Sequence, residues 1–196
     1  EKSPANFYSI STKWENVSVK DKVPFVQKIS DKVFSLDDKV VKTNAYLNDE
    51  TGYVLFFNSE GQLSYDYRPM VSFGVVCIMQ KGQQIENARV ARSFRKGFEW
   101  LTDDLVDELA VEAIDRTNLL FEATKPKAGE MPVVMGAGGS GILLHEAIGH
   151  AFEADFNRKE TSIFSDKMGK KVAESFINII DDGTLPYNRG SINIDD

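Results

Sequence analysis

The spacing of hydrophobic residues changes near position 39, from a helical repeat to a two-residue alternation. Before this point, apolar residues at positions 23, 26, 29, 33 and 34 lie together on one face of a helix. Ser18 and Asp21 have the spacing of a capping box at its start. Pro24 falls in the first turns, where proline is tolerated better than in a helix interior. The pattern therefore predicts a helix from Ser18 to about Leu36.

Alternating apolar and polar residues between Lys39 and Phe94 predict a series of antiparallel strands. The segments NDETG, SEG, RP and KGQ separate them and have the residue types of tight turns. The predicted strands cover residues 40–48, 53–58, 62–67, 71–80 and 85–94. The run VSFGVVCIM is apolar on both faces, so we expect it to form the central strand of an antiparallel meander. Cys77 lies within this run and is expected to be a buried, unreactive thiol.

A second helix is predicted to begin after Thr102, whose side chain suits an N-cap, and to end near Ala123. The following run KPKAGEMP contains two prolines and is typical of a linker. These elements predict an α+β fold with two domains. Residues 1–128 would contain both helices and the antiparallel β-meander. Residues 129–196 would open a catalytic domain with a strand, a glycine loop and a helix.

The remainder of the second domain has less regular patterns. FNRKETSIF is predicted to be a polar loop or a short strand, and VAESFINIIDDG and SINIDD are each predicted to be a strand that leads into a turn. Their partner strands would lie partly beyond the end of the chain. We therefore expect the central fragment of a longer protein, with its catalytic domain truncated at the C-terminus.

The composition argues against several classes of function. A net charge of −7 disfavours a nucleic-acid partner, because binding phosphates requires a basic surface. No apolar run approaches the roughly 20 residues of a membrane-spanning helix. A single cysteine excludes an internal disulfide and fits a reducing compartment. The basic run RVARSFRK is expected to be solvated, with a docking surface for an acidic peptide or a neighbouring subunit as the alternative.

The candidate chemistry lies in residues 131–155, MPVVMGAGGSGILLHEAIGHAFEAD, where both histidines of the chain occur. His145, Glu146 and His150 form an HExxxH motif, which supplies the two imidazole ligands and the general base of a zinc hydrolase. Side chains five residues apart on an ideal α-helix point about 140° apart, so both could not bind one ion. The hypothesis therefore requires an irregular helix near Gly149, such as a π-bulge.

Two acids follow the motif, and either Glu153 or Asp155 is a candidate third metal ligand. The alternative is that both are solvated or hydrogen-bonded acids near the end of the helix. The two histidines also have an alternative role, as structural residues of a non-catalytic assembly subunit. The pattern by itself leaves these alternatives open.

The glycine loop before the motif has the GxGxxG spacing of dinucleotide-binding loops, at Gly136, Gly138 and Gly141. A nucleotide-binding α/β domain is therefore an alternative function, although no βαβ pattern follows the loop. We favour a local role, since glycines allow a tight turn and close packing of strand against helix. The exposed backbone amides of Gly138 and Gly139 are candidates for binding a peptide substrate.

The sequence from Gly129, GEMPVVMGAGGSGILLHEAIGHAFEADFNRKETSIFSDKMG, resembles the TldD/PmbA family of zinc metallopeptidases on the TldD side, which carries HExxxH. DDGTLPYNRGSINIDD continues the match, and SEGQLSYDYRPMVSFGVVCI looks like the β region that precedes the site in this family. The resemblance implies that His145 and His150 bind zinc and that Glu146 is the general base or acid. The third zinc ligand that it implies is a cysteine far downstream, which Cys77 does not match.

The resemblance also implies zinc-dependent hydrolysis of peptides or unfolded polypeptides, including antibiotic precursors and unfolded antitoxins. It implies a bacterial, cytoplasmic protein that forms a homo- or hetero-oligomer, with a PmbA-like (TldE) chain as the second subunit. No nucleic-acid or membrane partner is expected. Two imidazoles without a third ligand would hold zinc poorly, so we expect this fragment to be inactive by itself.

Overall fold

The computed structural model describes residues 6–194, which form two compact units. The first unit contains the described residues up to Thr124 and those from Asp182 onward, and the second contains Lys125–Asp181. The division into domains 1–128 and 129–196 stays a prediction. No helix within residues 6–194 has the length and apolar composition needed to cross a membrane.

The first unit is a three-stranded antiparallel sheet with two long helices. Helix α1 covers Val19–Leu36, helix α2 covers Asp103–Leu120, and the strands are β1 (Val40–Phe57), β2 (Leu63–Lys81) and β3 (Gln84–Phe94). A short 3-10 turn precedes each of these helices. The strand order is β1-β2-β3, so the run VSFGVVCIM lies in the central strand as expected. The predicted α+β class is confirmed.

The prediction of five strands is wrong, because β1 runs straight through NDETG and β2 runs straight through RP. The pairing of β1 with β2 is continuous there, with Pro69 opposite Thr51. Proline lacks a donor N–H, but β2 pairs with β3 only from Val71 onward, so this part of β2 has one partner strand and tolerates it. The segments SEG and KGQ do form turns, in which Gly61 and Gly82 have φ angles of +81° and +63°.

Both long helices begin at their predicted caps. The Thr102 hydroxyl accepts a hydrogen bond from the backbone N–H of Leu105 at 3.2 Å, as an N-cap should. The Ser18 hydroxyl instead donates to the Asp21 carboxylate at 2.7 Å, so the two side chains of the predicted capping box bond each other. Helix α1 ends at the predicted position, and α2 ends at Leu120, three residues before the predicted end.

One face of β2 forms the centre of the hydrophobic core, where it packs against α1 and α2. The fully buried residues of these elements include Val71, Phe73, Val75, Met79, Ile29, Val33, Val106, Leu109 and Ala113. Cys77 belongs to the same face and is a buried free thiol, as predicted, and its burial raises the pKa of the thiol. The neighbouring strand β3 approaches closely at Gly74, because a Cβ there would lie only 2.7 Å from the Cβ of Ala91.

A buried carboxylate joins residues near positions 8 and 193 to the sheet. Asp66 is 1% exposed and accepts hydrogen bonds from Tyr8 Oη at 2.7 Å, Arg68 Nε at 2.7 Å and Asn193 Nδ2 at 2.9 Å. Burial alone would raise the pKa of Asp66, but these hydrogen bonds outweigh it and hold the pKa below its ordinary value. Arg68 also donates to the carbonyl oxygen of Ile194 at 2.6 Å. The described residues that follow the second unit are therefore anchored in the first.

The basic run RVARSFRK is only partly solvated, because Arg89 is exposed whereas Arg92 and Arg95 are engaged within the first unit. Arg92 forms ion pairs with Glu108 at 2.9 Å and with Glu112 at 2.6 Å, both on α2. Arg95 is only 9% exposed, and burial lowers the pKa of its guanidinium. These side chains therefore serve contacts within the first unit.

The second unit contains short helical segments and no strand within residues 125–181. Its elements are α3 (Ser140–Leu144), a π-helical turn (His145–Gly149), α4 (His150–Phe152) and α5 (Ala154–Arg158). The run FNRKETSIF begins inside α5, so it is neither wholly a loop nor a strand.

The predicted strands of this region are wrong. MPVVM is irregular, and Val134 within it is 97% exposed. VAESFINIIDDG and the described part of SINIDD are irregular too, with Ile180 86% exposed. A strand needs a ladder of hydrogen bonds with a neighbour, whereas VAESFINIIDDG and SINIDD share a single backbone bond among the described residues, from the N–H of Ile192 to the carbonyl of Gly183 at 3.2 Å. Asp195 and Asp196 lie outside those residues.

Candidate metal centre

The helix that carries the HExxxH motif changes its hydrogen bonding at the motif itself. Ser140–Leu144 is α-helical, His145–Gly149 is π-helical, and the α-helix resumes at His150–Phe152. The backbone N–H of His150 donates to the carbonyl oxygen of His145, five residues earlier. This extra residue in the turn brings His150 over His145, instead of about 140° around the axis. The predicted irregularity near Gly149 is confirmed.

The π turn gathers three potential metal ligands. One ligand atom from each of His145, Glu146 and His150 lies within 4.8 Å of the other two. The two imidazole ring centres are 4.3 Å apart, with the ring planes inclined by 63°. The Nε2 atom of His150 is 3.9 Å from a carboxylate oxygen of Glu146. The structure thus brings these side chains together, while their roles as zinc ligands and general base stay predictions.

Gly149 is important for the space that it leaves rather than for its backbone angles. Its φ of −53° and ψ of −55° are ordinary helical values, so any residue could adopt them. A Cβ on Gly149 would lie 3.4 Å from Nδ1 of His145 and 3.8 Å from Cγ of that ring. The imidazole of His145 therefore rests against the bare backbone of the π turn.

The two acids after the motif have different surroundings, and neither belongs to the cluster of three ligand atoms. The Glu153 carboxylate lies 2.6 Å from Nδ1 of His150. The Asp155 carboxylate lies 3.2 Å from the ammonium group of Lys159. Of the two alternatives for these acids, the structure favours hydrogen-bonded acids at the helix end over a third ligand.

The glycine loop does not belong to a dinucleotide-binding unit. No strand precedes it, and α3 after it has only five residues, so the βαβ context is absent from residues 125–181. Gly138 has a φ of +115°, which favours glycine, and this agrees with the local turning role. Gly138 and Gly139 are exposed, and substrate binding by this loop stays a prediction.

The donor set of the cluster fits a zinc ion. Zinc binds imidazole nitrogen and carboxylate oxygen at about 2.0–2.2 Å, which places two tetrahedral ligand atoms roughly 3.4 Å apart. The ligand atoms of the cluster lie within 4.8 Å of one another, so they must approach by at most about 1.4 Å to reach this value. Half of the His150 side chain and 64% of the Glu146 side chain are exposed, so small rotations can close the difference. Cys77 cannot take part, because it is fully buried in β2.

The sequence reasoning missed the residues that hold the end of this helix. The side-chain amide of Asn157 donates to the carbonyl oxygens of Ala151 at 3.0 Å and Glu153 at 2.9 Å. The ring of Phe152 stacks on that of Phe164, with ring centres 4.5 Å apart. Asn157, seven residues after the motif, could have indicated this helix end from the sequence, because side-chain amides can donate to the free carbonyl groups at the end of a helix.

Two family models match most of the chain. Residues 12–121, more than half of the sequence, match the PmbA/TldA metallopeptidase central domain. Residues 128–196 match the PmbA/TldA metallopeptidase C-terminal domain. The second match contains the HExxxH motif and the π turn.

Individual relatives have names that agree with these matches. The Metalloprotease TldD homolog of Haemophilus influenzae is 33% identical over 199 residues, covering 99% of this chain and 41% of the relative. That of Buchnera aphidicola (subsp. Acyrthosiphon pisum) is 36% identical over 189 residues, covering 93% and 39%. The Zinc metalloprotease TldD homolog of Saccharolobus solfataricus is 25% identical over 177 residues, covering 90% and 39%. The chain thus spans about two fifths of the length of these relatives. With matches to both domains and a π turn that assembles HExxxH, the chain belongs to the TldD/PmbA family of metallopeptidases.

Proposed function

We propose that the intact protein is a zinc-dependent peptidase that cleaves peptides or unfolded polypeptides. In this proposal, His145 and His150 bind zinc and Glu146 is the general base. The π turn is the observation that carries the proposal, because it brings together ligand atoms that a regular helix would separate. The name of one relative, a zinc metalloprotease, supports the choice of metal.

The arrangement of the side chains suggests how the reaction proceeds. Zinc at the cluster would polarise a water molecule and the carbonyl group of the scissile peptide bond. The Glu146 carboxylate lies beside the ligand atoms and accepts a proton from the water as its oxygen attacks the carbonyl carbon. Glu146 then gives this proton to the amide nitrogen, the C–N bond breaks and the amine leaves. The exposed position of the cluster gives an extended peptide access to these groups.

A further ligand is part of the proposal. Catalytic zinc sites usually have three protein ligands, and here the third donor of the cluster, Glu146, is needed as the base. We propose that a residue outside the cluster completes the site, a cysteine being the ligand that the family resemblance implies. The 196-residue chain by itself would then hold zinc weakly and be a poor peptidase.

A partner subunit and a cellular location complete the proposal. We propose that the protein works in the cytoplasm, as a homo- or hetero-oligomer with a PmbA-like (TldE) subunit. Cys77 is a free thiol, which fits a reducing compartment and supports the location. Co-purification of the tagged full-length protein with a PmbA-like subunit of the same organism would test the assembly. A protein that purifies only as a monomer would contradict it.

The catalytic proposal is tested with the full-length protein and its partner subunit. Cleavage of an unstructured peptide and bound zinc, by elemental analysis, are measured side by side. Glu146→Gln should keep its zinc and lose at least about 100-fold in cleavage rate, because it removes the base but keeps the shape. His145→Ala and His150→Ala should lose both zinc and activity. The control Glu174→Gln changes an exposed carboxylate of the same unit that pairs with Lys171, and should change neither.

Two results would contradict the proposal. Cleavage that is unaffected by Glu146→Gln would rule out this residue as the base. A native complex that cleaves no peptide although it binds zinc would favour the alternative of a non-catalytic assembly subunit.

A further inference from the structure

His150 has a second contact, made by the ring nitrogen that does not face Glu146. Its Nδ1 lies 2.6 Å from Oε1 of Glu153, whereas its Nε2 lies 3.9 Å from the Glu146 carboxylate. A carboxylate can only accept hydrogen bonds, so Nδ1 carries the proton and donates it to Glu153. In this tautomer the lone pair of Nε2 is free, and a neutral imidazole binds metals through such a lone pair.

The backbone holds Glu153 at the break between α4 and α5. Its φ of −56° and ψ of +133° end α4, and its N–H donates to the His150 carbonyl at 3.3 Å. Its own carbonyl accepts from the backbone N–H of Asn157 at 3.1 Å and from the side chain of Asn157 at 2.9 Å. The same side chain donates to the Ala151 carbonyl at 3.0 Å. These bonds fix the point from which the Glu153 side chain reaches back three residues to His150.

The side chain of Glu153 neither caps α5 nor belongs to the cluster of ligand atoms. Glu153 is the N-cap residue of α5, yet its side chain makes no capping hydrogen bond. It is also outside the set of ligand atoms that lie within 4.8 Å of one another. The hydrogen bond to Nδ1 of His150 is therefore the interaction that the Glu153 carboxylate makes.

We propose that Glu153 is a positioning residue, which holds His150 in the Nδ1-protonated tautomer and directs Nε2 towards the metal. This inference rests on the proposed function, because a metal gives the free lone pair its use. A ligating histidine commonly donates its other ring N–H to a carboxylate, which fixes the ring and makes the ligating nitrogen more basic. His145 obtains its orientation differently, from the contact of its ring with Gly149.

The first measurement is the zinc affinity of the full-length protein, by competition with a chelator. Glu153→Ala should bind zinc about 10- to 100-fold more weakly than the wild type, as is typical when such a partner is lost. Glu153→Gln should bind more tightly than Glu153→Ala, because its amide oxygen can still accept from Nδ1. Asp155→Asn is the matched control, since it neutralises a carboxylate two residues away that pairs with Lys159, and should leave the affinity unchanged.

The second measurement is the tautomer of His150 in the metal-free chain, from the ¹⁵N spectrum at alkaline pH. The wild type, Glu153→Gln and Asp155→Asn should show a proton on Nδ1, and Glu153→Ala should shift towards a proton on Nε2. A tautomer that is the same in Glu153→Ala and the wild type would overturn the positioning role, whatever the zinc affinity. Equal loss of zinc in Glu153→Gln and Glu153→Ala with an unchanged tautomer would make Glu153 a ligand, which also overturns it. A full-length wild-type protein that binds no zinc, but whose His150 tautomer depends on Glu153, would support the orientation of His150 and reject the zinc function.

Discussion

Because the ring of His145 rests against Gly149, we predict that a substitution at Gly149 has opposite effects on the stability of the helix and on metal binding. Replacing Gly149 with Ala leaves the backbone conformation acceptable, because its φ and ψ are helical. The added methyl group would lie 3.4 Å from Nδ1 and 3.9 Å from Cβ of His145. These are ordinary van der Waals distances, so the ring of His145 needs to shift by only about 0.1 Å, but it can no longer rotate towards the turn.

The sizes of the two effects can be estimated separately. Alanine stabilises a helix over glycine by about 0.5–1 kcal/mol, mainly because the unfolded chain loses less freedom. The cluster closes on an ion only if its side chains rotate, and the methyl group blocks rotation of the His145 ring towards the turn, so the zinc site is weakened. We expect Gly149→Ala to lose about 1 kcal/mol of zinc-binding free energy, or roughly fivefold in affinity. Gly149→Ala should therefore make the metal-free turn more stable and the zinc complex weaker.

The assay combines chelator competition for zinc affinity with amide hydrogen exchange of residues 145–151 in the metal-free chain. Exchange should slow by about two- to fivefold in Gly149→Ala, while the zinc dissociation constant rises. The control is Gly141→Ala on α3, where an added Cβ would meet nothing within 4 Å, so it should leave zinc affinity unchanged. Unchanged zinc affinity in Gly149→Ala, together with slower exchange, would refute the idea that this glycine positions His145.

Three further predictions concern the first unit. Asp66→Asn should lower the free energy of unfolding by about 3 kcal/mol near neutral pH, measured by urea denaturation, because the half-buried guanidinium of Arg68 loses its counter-charge at a buried site. The lowered pKa of Asp66 means that the ionised form stabilises the fold, so this difference should shrink as the pH falls below the ordinary value of 3.8. Asp107→Asn removes one member of a more exposed ion pair and should lower the free energy of unfolding by less than about 1 kcal/mol. Equal losses of stability in Asp66→Asn and Asp107→Asn would contradict the buried role of Asp66. Gly74→Ala should lower the free energy of unfolding by about 2 kcal/mol or more, because the added Cβ would clash with β3. Gly52→Ala is the control and should lower it much less, since its Cβ would be 3.5 Å from its nearest neighbour. Similar melting temperatures for the two variants would refute the close approach of β3. Cys77 should react with iodoacetamide only after unfolding, since burial keeps the thiol protonated and inaccessible, and rapid alkylation of the native chain would contradict this.

Local patterns predicted the elements of the first unit well where short-range chemistry decides the structure. The cap at Thr102, the end of α1 at Leu36 and the turns SEG and KGQ all depend on residues close in sequence. The central position of VSFGVVCIM followed from its apolar character on both faces, because the middle strand of a sheet is the one most completely covered. The sequence also predicted that Cys77 would be buried, for the same reason.

Errors arose where pairing partners outweighed local preferences. The residues of NDETG and RP favour turns in isolation, but β1 and β2 pair continuously across them, with Pro69 in the part of β2 that has one partner. The opposite error occurred at MPVVM and VAESFINIIDDG, which are apolar enough for strands but have no partner strand within the described residues. The surroundings of Arg92 in the basic run were not predicted either, because the acids of α2 that bind it are 16 and 20 residues away.

The sequence alone determined the chemistry of the candidate site: two imidazoles, an adjacent carboxylate, and a five-residue spacing that requires a π turn if one ion is to be shared. Those properties depend on residue types and on the geometry of one helix, which are local. Only the tertiary structure decided which atoms approach one another. It placed the ring of His145 against Gly149, and it turned Glu153 towards Nδ1 of His150 rather than into the cluster. Such contacts depend on side-chain directions and on a helix break held by Asn157, neither of which a one-dimensional pattern specifies.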